Sequence, residues 1–251
     1  MTLTVTPLTG VPEICVGDDL AEIVVAALGP GHDLREGDVL VIAHKVVSKA
    51  EGRTRALSEV QPQARALELA ARLEKDPRHV QVVLDETREL LRSERGVMVC
   101  VTRHGFVCAN AGVDASNVPG EDTVLMLPLD PDRSARALRD RLRGLTGVAP
   151  AVVITDSFGR AWRLGQCDVT IGCAGLAPLE DWRGSSDAQG RELRATWIAV
   201  ADELAAAADL ARRKDGQQPM VLVRGADRHV TAHHGPGAAA LLRPEGEDMF
   251  R

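Results

Sequence analysis

The sequence predicts an α+β fold in which mixed and antiparallel sheets are flanked by helices. Short apolar runs bounded by Gly or Pro, at residues 39–43, 97–102 and 151–155, indicate buried strands. Longer segments with an apolar residue every three or four positions indicate amphipathic helices. The two patterns alternate without regular strand–helix–strand spacing, which favours α+β over a doubly wound parallel sheet.

The remaining elements follow from the same patterns and from their bounding residues. Further strands are predicted at residues 106–108, 124–127 and 220–223. Helices are predicted over residues 62–75, 80–91, 132–142 and 191–213, the third closed by Gly144. The 251 residues are expected to form a single domain, 1–251. The alternative is two subdomains with a weak junction near 144–150, and residues 172–187 form a second weak junction.

Composition excludes several classes of protein. With 36 acidic against 30 basic residues the formal net charge is −6, so no nucleic-acid partner is expected. Three Phe, three Trp and no Tyr are too few for base stacking or an aromatic membrane belt. No apolar run reaches about 18 residues and no signal-peptide pattern opens the chain, so a cytoplasmic protein without a membrane partner is predicted. Five cysteines without metal-site spacing are expected to pack as small apolar residues.

Three polar clusters, each following an apolar strand, are candidates for chemistry. In the first, Ser48, Lys49 and Arg53 offer a hydroxyl and two cations to a polyphosphate. The alternative is a solvated basic turn beside Glu51. Common nucleotide signatures such as G-x-x-x-x-G-K-[ST] are absent from the sequence, so any phosphate site must be built differently.

The second and third clusters offer ligands for a hard cation. In the second, residues 110–120, Asp114 could bind the cation and Asn117 a substrate oxygen, with an Asx-turn as the alternative. In the third, Asp156 and then a hydroxyl follow a buried strand, which is typical of Mg²⁺ sites in phosphoryl transfer. The alternative for Asp156 is a helix N-cap. Together, Asp114 and Asp156 would supply the one or two carboxylates that Mg²⁺ usually takes.

In this order the clusters resemble the coenzyme F-420-0:L-glutamate ligase family, which adds γ-linked glutamates to the deazaflavin coenzyme F-420. The matching segments are residues 8–14, 45–53, 104–119, 156–172 and 199–210. The resemblance implies a γ-glutamyl-ligase-type fold, an intertwined homodimer, GTP, two Mg²⁺ or Mn²⁺ ions and stimulation by K⁺. Residues 247–251 match the point where some members continue into a nitroreductase-like domain, so none is expected here.

The same resemblance implies roles for individual residues. Nucleotide contacts are expected from Leu8, Thr9, Gly10, Val11, His44, Lys49 and Asn117. Asp114 and Asp156 match ligands of one metal ion, and Ser157 matches a ligand of a second. Catalytic charge stabilisation is expected from that first metal site and from the cations Lys49, Arg160 and Arg163.

One segment departs from the family pattern. Where the family commonly has Val-Met-Gly and then Lys or Gln, this chain has Ala211-Arg212-Arg213-Lys214. In the family this segment touches the nucleotide and helps to hold the second metal. Arg212, Arg213 and Lys214 are therefore expected at the nucleotide. Arg213 or Lys214 is further expected near the second metal position, where a cation would repel the metal and leave it weakly bound or absent. The alternative is a solvated helix end whose cations complement the helix dipole.

The function implied by the resemblance is that of a GTP-dependent amide ligase. The carboxylate of the acceptor would attack the γ-phosphate of GTP, and the amine of L-glutamate would then displace phosphate from the resulting acyl phosphate. The substrates would be L-glutamate and the deazaflavin coenzyme precursor. Two alternatives are a related ligase with a different carboxylate acceptor and a nucleotide-binding paralogue without catalysis.

Overall fold

A five-stranded sheet organises the fold in the computed structural model, which describes residues 2–29, 33–116, 120, 122–213 and 216–249. The strands are β1 (Thr4–Pro7), β2 (Val39–Ala43), β3 (Thr54–Ala56), β4 (Thr87–Glu94), β5 (Val97–Thr102), β6 (Val107–Ala109), β7 (Thr123–Leu125), β8 (Ala151–Arg160), β9 (Arg163–Ala174), β10 (Glu180–Asp181), β11 (Trp197–Ile198) and β12 (Met220–Arg224). The helices are α1 (Leu20–Leu28), α2 (His44–Ala50), α3 (Ala64–Leu73), α4 (Pro77–Asp85), α5 (Pro131–Thr146) and α6 (Val200–Ala211). Within the described ranges, no helix is both long and apolar enough to cross a bilayer.

The main sheet has the strand order β1-β12-β2-β8-β9. The pair β2–β8 is parallel, whereas β1–β12, β12–β2 and β8–β9 are antiparallel. Along β2, Leu40 and Ile42 face one side of the sheet and Val39 and Val41 the other, and all four are fully buried. A strand covered on both faces loses the apolar–polar alternation, which explains the continuous apolar run in the sequence.

Helices cover both faces of this sheet. Helices α1 and α5 pack on one face together with the first loop, and α6 packs on the other. Helix α5 begins at Pro131 with Asp130 as its N-cap, whose side chain accepts from the backbone N–H of Arg133 at 2.9 Å. The mixture of one parallel and several antiparallel pairs confirms the predicted α+β class.

A second, smaller core lies beside the main sheet. It is built by α3, α4, the three-stranded sheet β4-β5-β6 and the pair β3–β7, with Ala66, Val80, Met98 and Val124 at its centre. The chain enters it after α2 and leaves it before α5. The loop at 110–116 belongs to this layer and faces α2, so residues of the second cluster lie next to those of the first.

Two predicted helices are wrong in part. Residues 80–91 are helical only to Asp85, because Thr87–Glu94 pair with Val97–Thr102 in a hairpin whose turn residues, Arg95 and Gly96, have positive φ. Residues 191–199 are irregular apart from Trp197–Ile198, which pair with Glu180–Asp181, so helix α6 covers only Val200–Ala211 of the predicted 191–213. In both places, strand pairing overrides a helical spacing of apolar residues: with the next strand at 87–94, and with an earlier strand at 197–198.

Gly144 and Gly172, which begin the two predicted weak junctions, lie inside regular elements. Helix α5 runs through Gly144 and ends at Gly147, which adopts φ 77°. Gly172 lies within β9, where a Cβ would be 2.5 Å from the carbonyl carbon of Pro131. The segment 144–150 therefore joins α5 to β8, which pack on each other, and Gly172 is where β9 meets the start of α5.

We expect Gly172→Ala to lower the free energy of unfolding by about 1–3 kcal/mol, because the added methyl overlaps backbone that cannot move away freely. Gly144→Ala is the matched control: its Cβ meets nothing within 4 Å, and it should stabilise helix α5 by about 0.5–1 kcal/mol. Urea unfolding of the two variants measures both. Equal effects would show that the contact with Pro131 does not constrain β9.

Candidate functional site

A cavity of about 990 Å³ opens at one edge of the main sheet. This is the upper end of the usual range for small-molecule sites. Its walls come from the loop after β1, from α2, from the 114–116 loop, from β8 and β9, and from the end of α6 with the segment that precedes β12.

The register of the sheet explains why these segments meet. In the parallel pair β2–β8, Ala43 lies opposite Thr155, so the next residues, His44 and Asp156, emerge side by side. The antiparallel strand β12 starts at the same edge, since the N–H of Ala43 donates to the carbonyl of Pro219 at 2.9 Å. Strand β1 ends there too, and the N–H of Leu8 donates to Met220 at 2.8 Å.

Helix α2 presents two pairs of side chains at the helical spacing of four residues. Its inner pair is His44 and Ser48, which are 2% and 0% exposed and lie 3.3 Å apart between Nδ1 and Oγ. Its other pair, Lys45 and Lys49, lines the cavity. The Nζ of Lys49 donates to Oε1 of Glu13, which comes from the loop after β1.

Asp156 lies within β8 rather than at its end, so the helix N-cap alternative is wrong. Its Oδ1 is 3.2 Å from Nε2 of His44 and accepts from the N–H of Ser157 at 2.8 Å. The carboxylate is 17% exposed, at the floor of the cavity. The Nε2 of His44 thus lies within ion-pair distance of Asp156, but it makes no hydrogen bond among the described residues.

Asp114 enters the cavity from the second core, where its backbone forms a bridge with Leu125. Its Oδ1 accepts from the N–H of Ser116 at 2.7 Å, so the predicted Asx-turn is present. Its Oδ2 is 2.6 Å from Nζ of Lys45. Burial would raise the pKa of the Asp114 carboxyl, but hydrogen bonds from Lys45 and Ser116 outweigh it and hold this pKa below its ordinary value.

A further carboxylate at the cavity, Asp168 on β9, is almost completely buried at 4% exposure. It accepts from the hydroxyl of Ser157 at 2.6 Å, from the hydroxyl of Thr155 at 2.8 Å and from Nη1 of Arg212 at 2.9 Å. Burial lowers the pKa of the Arg212 guanidinium, while the charge of Asp168 opposes this shift. The Nε and Nη2 groups of Arg212 meet no acceptor among the described residues. Unsatisfied buried donors are uncommon, so these groups suit an anionic ligand.

Comparison with known proteins decides the family. The family described as F420-0:Gamma-glutamyl ligase matches residues 10–225. A protein named Coenzyme F420:L-glutamate ligase from Methanothermobacter thermautotrophicus is 44% identical over 253 residues, covering 100% of both chains. Proteins of the same name from Haloarcula marismortui and Methanopyrus kandleri are 46% and 45% identical, covering 96% and 100% of this chain and 93% and 98% of their own. The chain belongs to the F420-0:gamma-glutamyl ligase family.

Most residues predicted for the site of a γ-glutamyl ligase lie in one cavity. The structure brings together Val11, His44, Lys49, Asp114, Asp156, Ser157, Arg212 and Arg213. They come from segments far apart in sequence, and the sheet edge and α2 unite them. Asn117 and Lys214 lie outside the described residues, so their predicted contacts stay predictions.

The structure does not bring the other predicted residues to this cavity. Arg160 and Arg163 lie at the exposed tip of the β8–β9 hairpin, where Arg160 donates to the carbonyl of Leu164 at 2.6 Å. Leu8 is buried in the main core, and Thr9 and Gly10 are exposed beside it. Among the described residues of the first loop, the cavity is lined from Val11 to Ile14.

The three side chains of the first polar cluster, Ser48, Lys49 and Arg53, lie in different environments in the structure. Ser48 is buried against His44, whereas Arg53 donates to Glu86 at 2.9 Å and to the carbonyl of Leu127 at 2.9 Å. Lys49 alone of the three lines the cavity. The segment forms helix α2 up to Ala50 rather than a basic turn, and a helix directs these side chains to different sides.

Sequence reasoning missed Lys45, Glu13, Asp168 and Thr155. The sequence does indicate Lys45, since it precedes Lys49 by one helical turn and shares its face. The sequence around Asp168 gives no such indication. Its partners Thr155, Ser157 and Arg212 become neighbours only through the β8–β9 hairpin and the end of α6.

The oxygen ligands fit one divalent ion better than two. Asp114 and Asp156 offer two carboxylates to one cavity, which suits Mg²⁺ or Mn²⁺ with water and phosphate oxygens completing the shell. Among the described residues no group of three or more His, Cys, Asp or Glu side chains is placed to hold a metal by itself. At Ser157, the hydroxyl is bonded to Asp168, whose charge Arg212 already neutralises. A second ion there would meet a fixed cation.

The cysteines behave as packing residues where they are buried. Burial raises the pKa of both Cys108 and Cys173 to about 12, so neither is a thiolate near neutral pH. Cys167 is half-buried on β9.

We expect Asp168→Asn to destabilise the protein by about 3–5 kcal/mol, because it leaves the Arg212 cation buried without its counter-charge. The double variant Asp168→Asn/Arg212→Met should recover much of this loss. Asp181→Asn, which breaks the exposed pair with Arg183, should cost less than about 1 kcal/mol. Denaturant unfolding measures all three, and a double variant no more stable than Asp168→Asn would contradict the pairing.

Proposed function

We propose that this chain is a GTP-dependent ligase that adds L-glutamate to the deazaflavin coenzyme precursor F420-0 through a γ-linked amide bond. The observation that carries the proposal is the meeting of Asp114, Asp156 and Lys49 in one cavity of a chain that belongs to the γ-glutamyl ligase family. The names of its relatives, each a Coenzyme F420:L-glutamate ligase, support the same substrates.

The chemistry requires an activated carboxylate, since a free carboxylate is a poor acyl donor. In the first step an acceptor carboxylate oxygen bonds to the γ-phosphorus of GTP, the bond to the β-phosphate oxygen breaks, and GDP leaves. In the second step the glutamate nitrogen bonds to the carbonyl carbon of the acyl phosphate, phosphate leaves with the bonding electrons, and the nitrogen loses a proton. No enzyme nucleophile is needed, which agrees with the inert buried cysteines.

The residues of the cavity supply positions and charge for these steps. Lys49 is 10% exposed and would bind a phosphate oxygen in place of Glu13. Asp114 and Asp156 would hold one Mg²⁺ or Mn²⁺, which supplies positive charge to the phosphoryl oxygens. His44 lies beside the Asp156 carboxylate, with Nε2 at 3.2 Å from Oδ1. We propose a single divalent ion, with Arg212 neutralising Asp168. The stimulation by K⁺ stays a prediction.

We also propose that the chain works as a homodimer. At the tip of the β8–β9 hairpin, Trp162 and Leu164 are 80% and 96% exposed. Adjacent exposed apolar side chains of this size favour an interface. Arg160 and Arg163 lie on the same exposed tip and do not line the cavity of their own chain. They would therefore reach a cavity only in a partner chain. Light scattering tests this, since a mass of one chain would contradict it.

Turnover tests the proposed function directly. Purified protein with GTP and Mn²⁺ should release GDP over many turnovers only when both F420-0 and L-glutamate are present, with a product heavier by one glutamate residue in the mass spectrum. Asp156→Asn should lower the rate at least about a hundredfold, given typical losses of transition-state charge stabilisation. Asp181→Asn, outside the residues that line the cavity, serves as its control.

GDP release with another carboxylate acceptor, but not with F420-0, would favour a related ligase. Binding of GTP without turnover would favour a non-catalytic paralogue.

A further inference from the structure

Lys45 forms an ion pair with Asp114, the carboxylate that the divalent ion would need as a ligand. Its Nζ lies 2.6 Å from Oδ2 of Asp114 and 2.6 Å from Oγ of Ser116. The N–H and hydroxyl of Ser116 bind the same carboxylate at 2.7 and 2.9 Å. Both oxygens of Asp114 are therefore already engaged, one of them by a full positive charge.

Lys49 is arranged differently, although it lies one helical turn away on the same face. Its partner is Glu13, a side chain that is 63% exposed and lies on a loop. Glu13 can turn into solvent without a charged partner of its own, so the Lys49 ammonium becomes available without disturbing Asp114. The two lysines thus differ in which carboxylate they hold.

We propose that Lys45 couples metal binding to polyphosphate binding in this cavity, an inference that rests on the proposed function. Lys45 leaves Asp114 when a divalent ion binds there, because an ammonium and a dication at one carboxylate repel each other. The side chain is only 23% exposed, so its displaced charge is poorly solvated unless an oxyanion receives it. The phosphates of a nucleotide supply that oxyanion.

Each ligand then strengthens the other, since coupling between two sites is reciprocal. Metal alone must displace a lysine that finds no new partner, and nucleotide alone meets a lysine that is already neutralised. The pair Lys45–Asp114 therefore favours joint loading over either ligand singly. The oxyanion could also be the carboxylate of the amino-acid substrate, and separate additions of GDP and L-glutamate distinguish the two sources.

The test is the affinity for Mn²⁺, followed by the electron paramagnetic resonance of free Mn²⁺, with the full chain alone, with GDP and with L-glutamate. In the wild type, GDP should tighten Mn²⁺ binding about tenfold or more, beyond the binding of Mn²⁺ to GDP in buffer. Lys45→Met should bind Mn²⁺ alone about five- to tenfold more tightly than the wild type and should lose most of the enhancement by GDP. L-glutamate in place of GDP should have little effect.

Two variants control for charge and folding. Lys49→Met, which removes the same charge from the same helix face, should weaken GDP binding but leave the affinity for Mn²⁺ alone unchanged. Lys45→Arg retains the charge and should behave as the wild type for Mn²⁺ alone. If Lys45→Met fails to fold by circular dichroism, Lys45→Gln replaces it.

An unchanged or weaker affinity of Lys45→Met for Mn²⁺ alone would overturn the inference, and so would enhancement by L-glutamate but not by GDP. Failure of the proposed function gives a different pattern. In that case GDP and GTP bind to no form of the protein, while the gain of Mn²⁺ affinity in Lys45→Met would still show that Lys45 blocks Asp114.

Discussion

The parallel pairing of β2 with β8 is the constraint on which the site depends. Because Ala43 lies opposite Thr155, His44 at the start of α2 lies beside Asp156 on β8. A shift of one residue would turn the side chains of one strand to the opposite face of the sheet and separate His44 from Asp156. The apolar residues of β2 and β8, buried on both faces, fix this register more strongly than any polar contact at the edge.

Helix α2 extends that constraint to the second core. It begins directly after β2, so its first turn is held at the sheet edge, and its other end leads into β3. Lys45 reaches across to Asp114, and the N–H of Met126 donates to the carbonyl of Arg53 at 2.9 Å. The cavity thus lies between two cores, and each core provides one of the two carboxylates proposed to hold a divalent ion, Asp156 and Asp114. Cations and carboxylates pair across it, at Lys45–Asp114, Lys49–Glu13 and Arg212–Asp168. A cation that binds Asp114, or an anion that binds Lys49, must exchange with these internal partners.

The sequence predicts those parts of the structure that have local causes. The buried strands 39–43, 151–155 and 220–223 have apolar runs that no other element explains, and the helix 62–75 has a clear apolar face. At 87–94 the apolar spacing also fits a helix, and only pairing with the following strand, 97–102, makes the segment a hairpin. At 197–198 the strand partner is Glu180–Asp181, which lies in a segment without a strand pattern of its own. Asp114 and Asp156, which the resemblance pairs as ligands of one metal ion, do line one cavity, and their role as ligands stays a prediction. The resemblance could not locate Asp168 or assign Arg212 to it, since the Arg212–Asp168 pair depends on where α6 ends relative to the hairpin.

The proposed function requires that Asp114 and Asp156 share one divalent ion, while Arg212 takes the place of a second. Anomalous diffraction from crystals of the GDP complex soaked with Mn²⁺ measures how many ions bind and where. We expect one strong peak in contact with both carboxylates and none beside Ser157 and Asp168. A peak that avoids Asp114 and Asp156, or a second peak of similar height at Ser157, would contradict it.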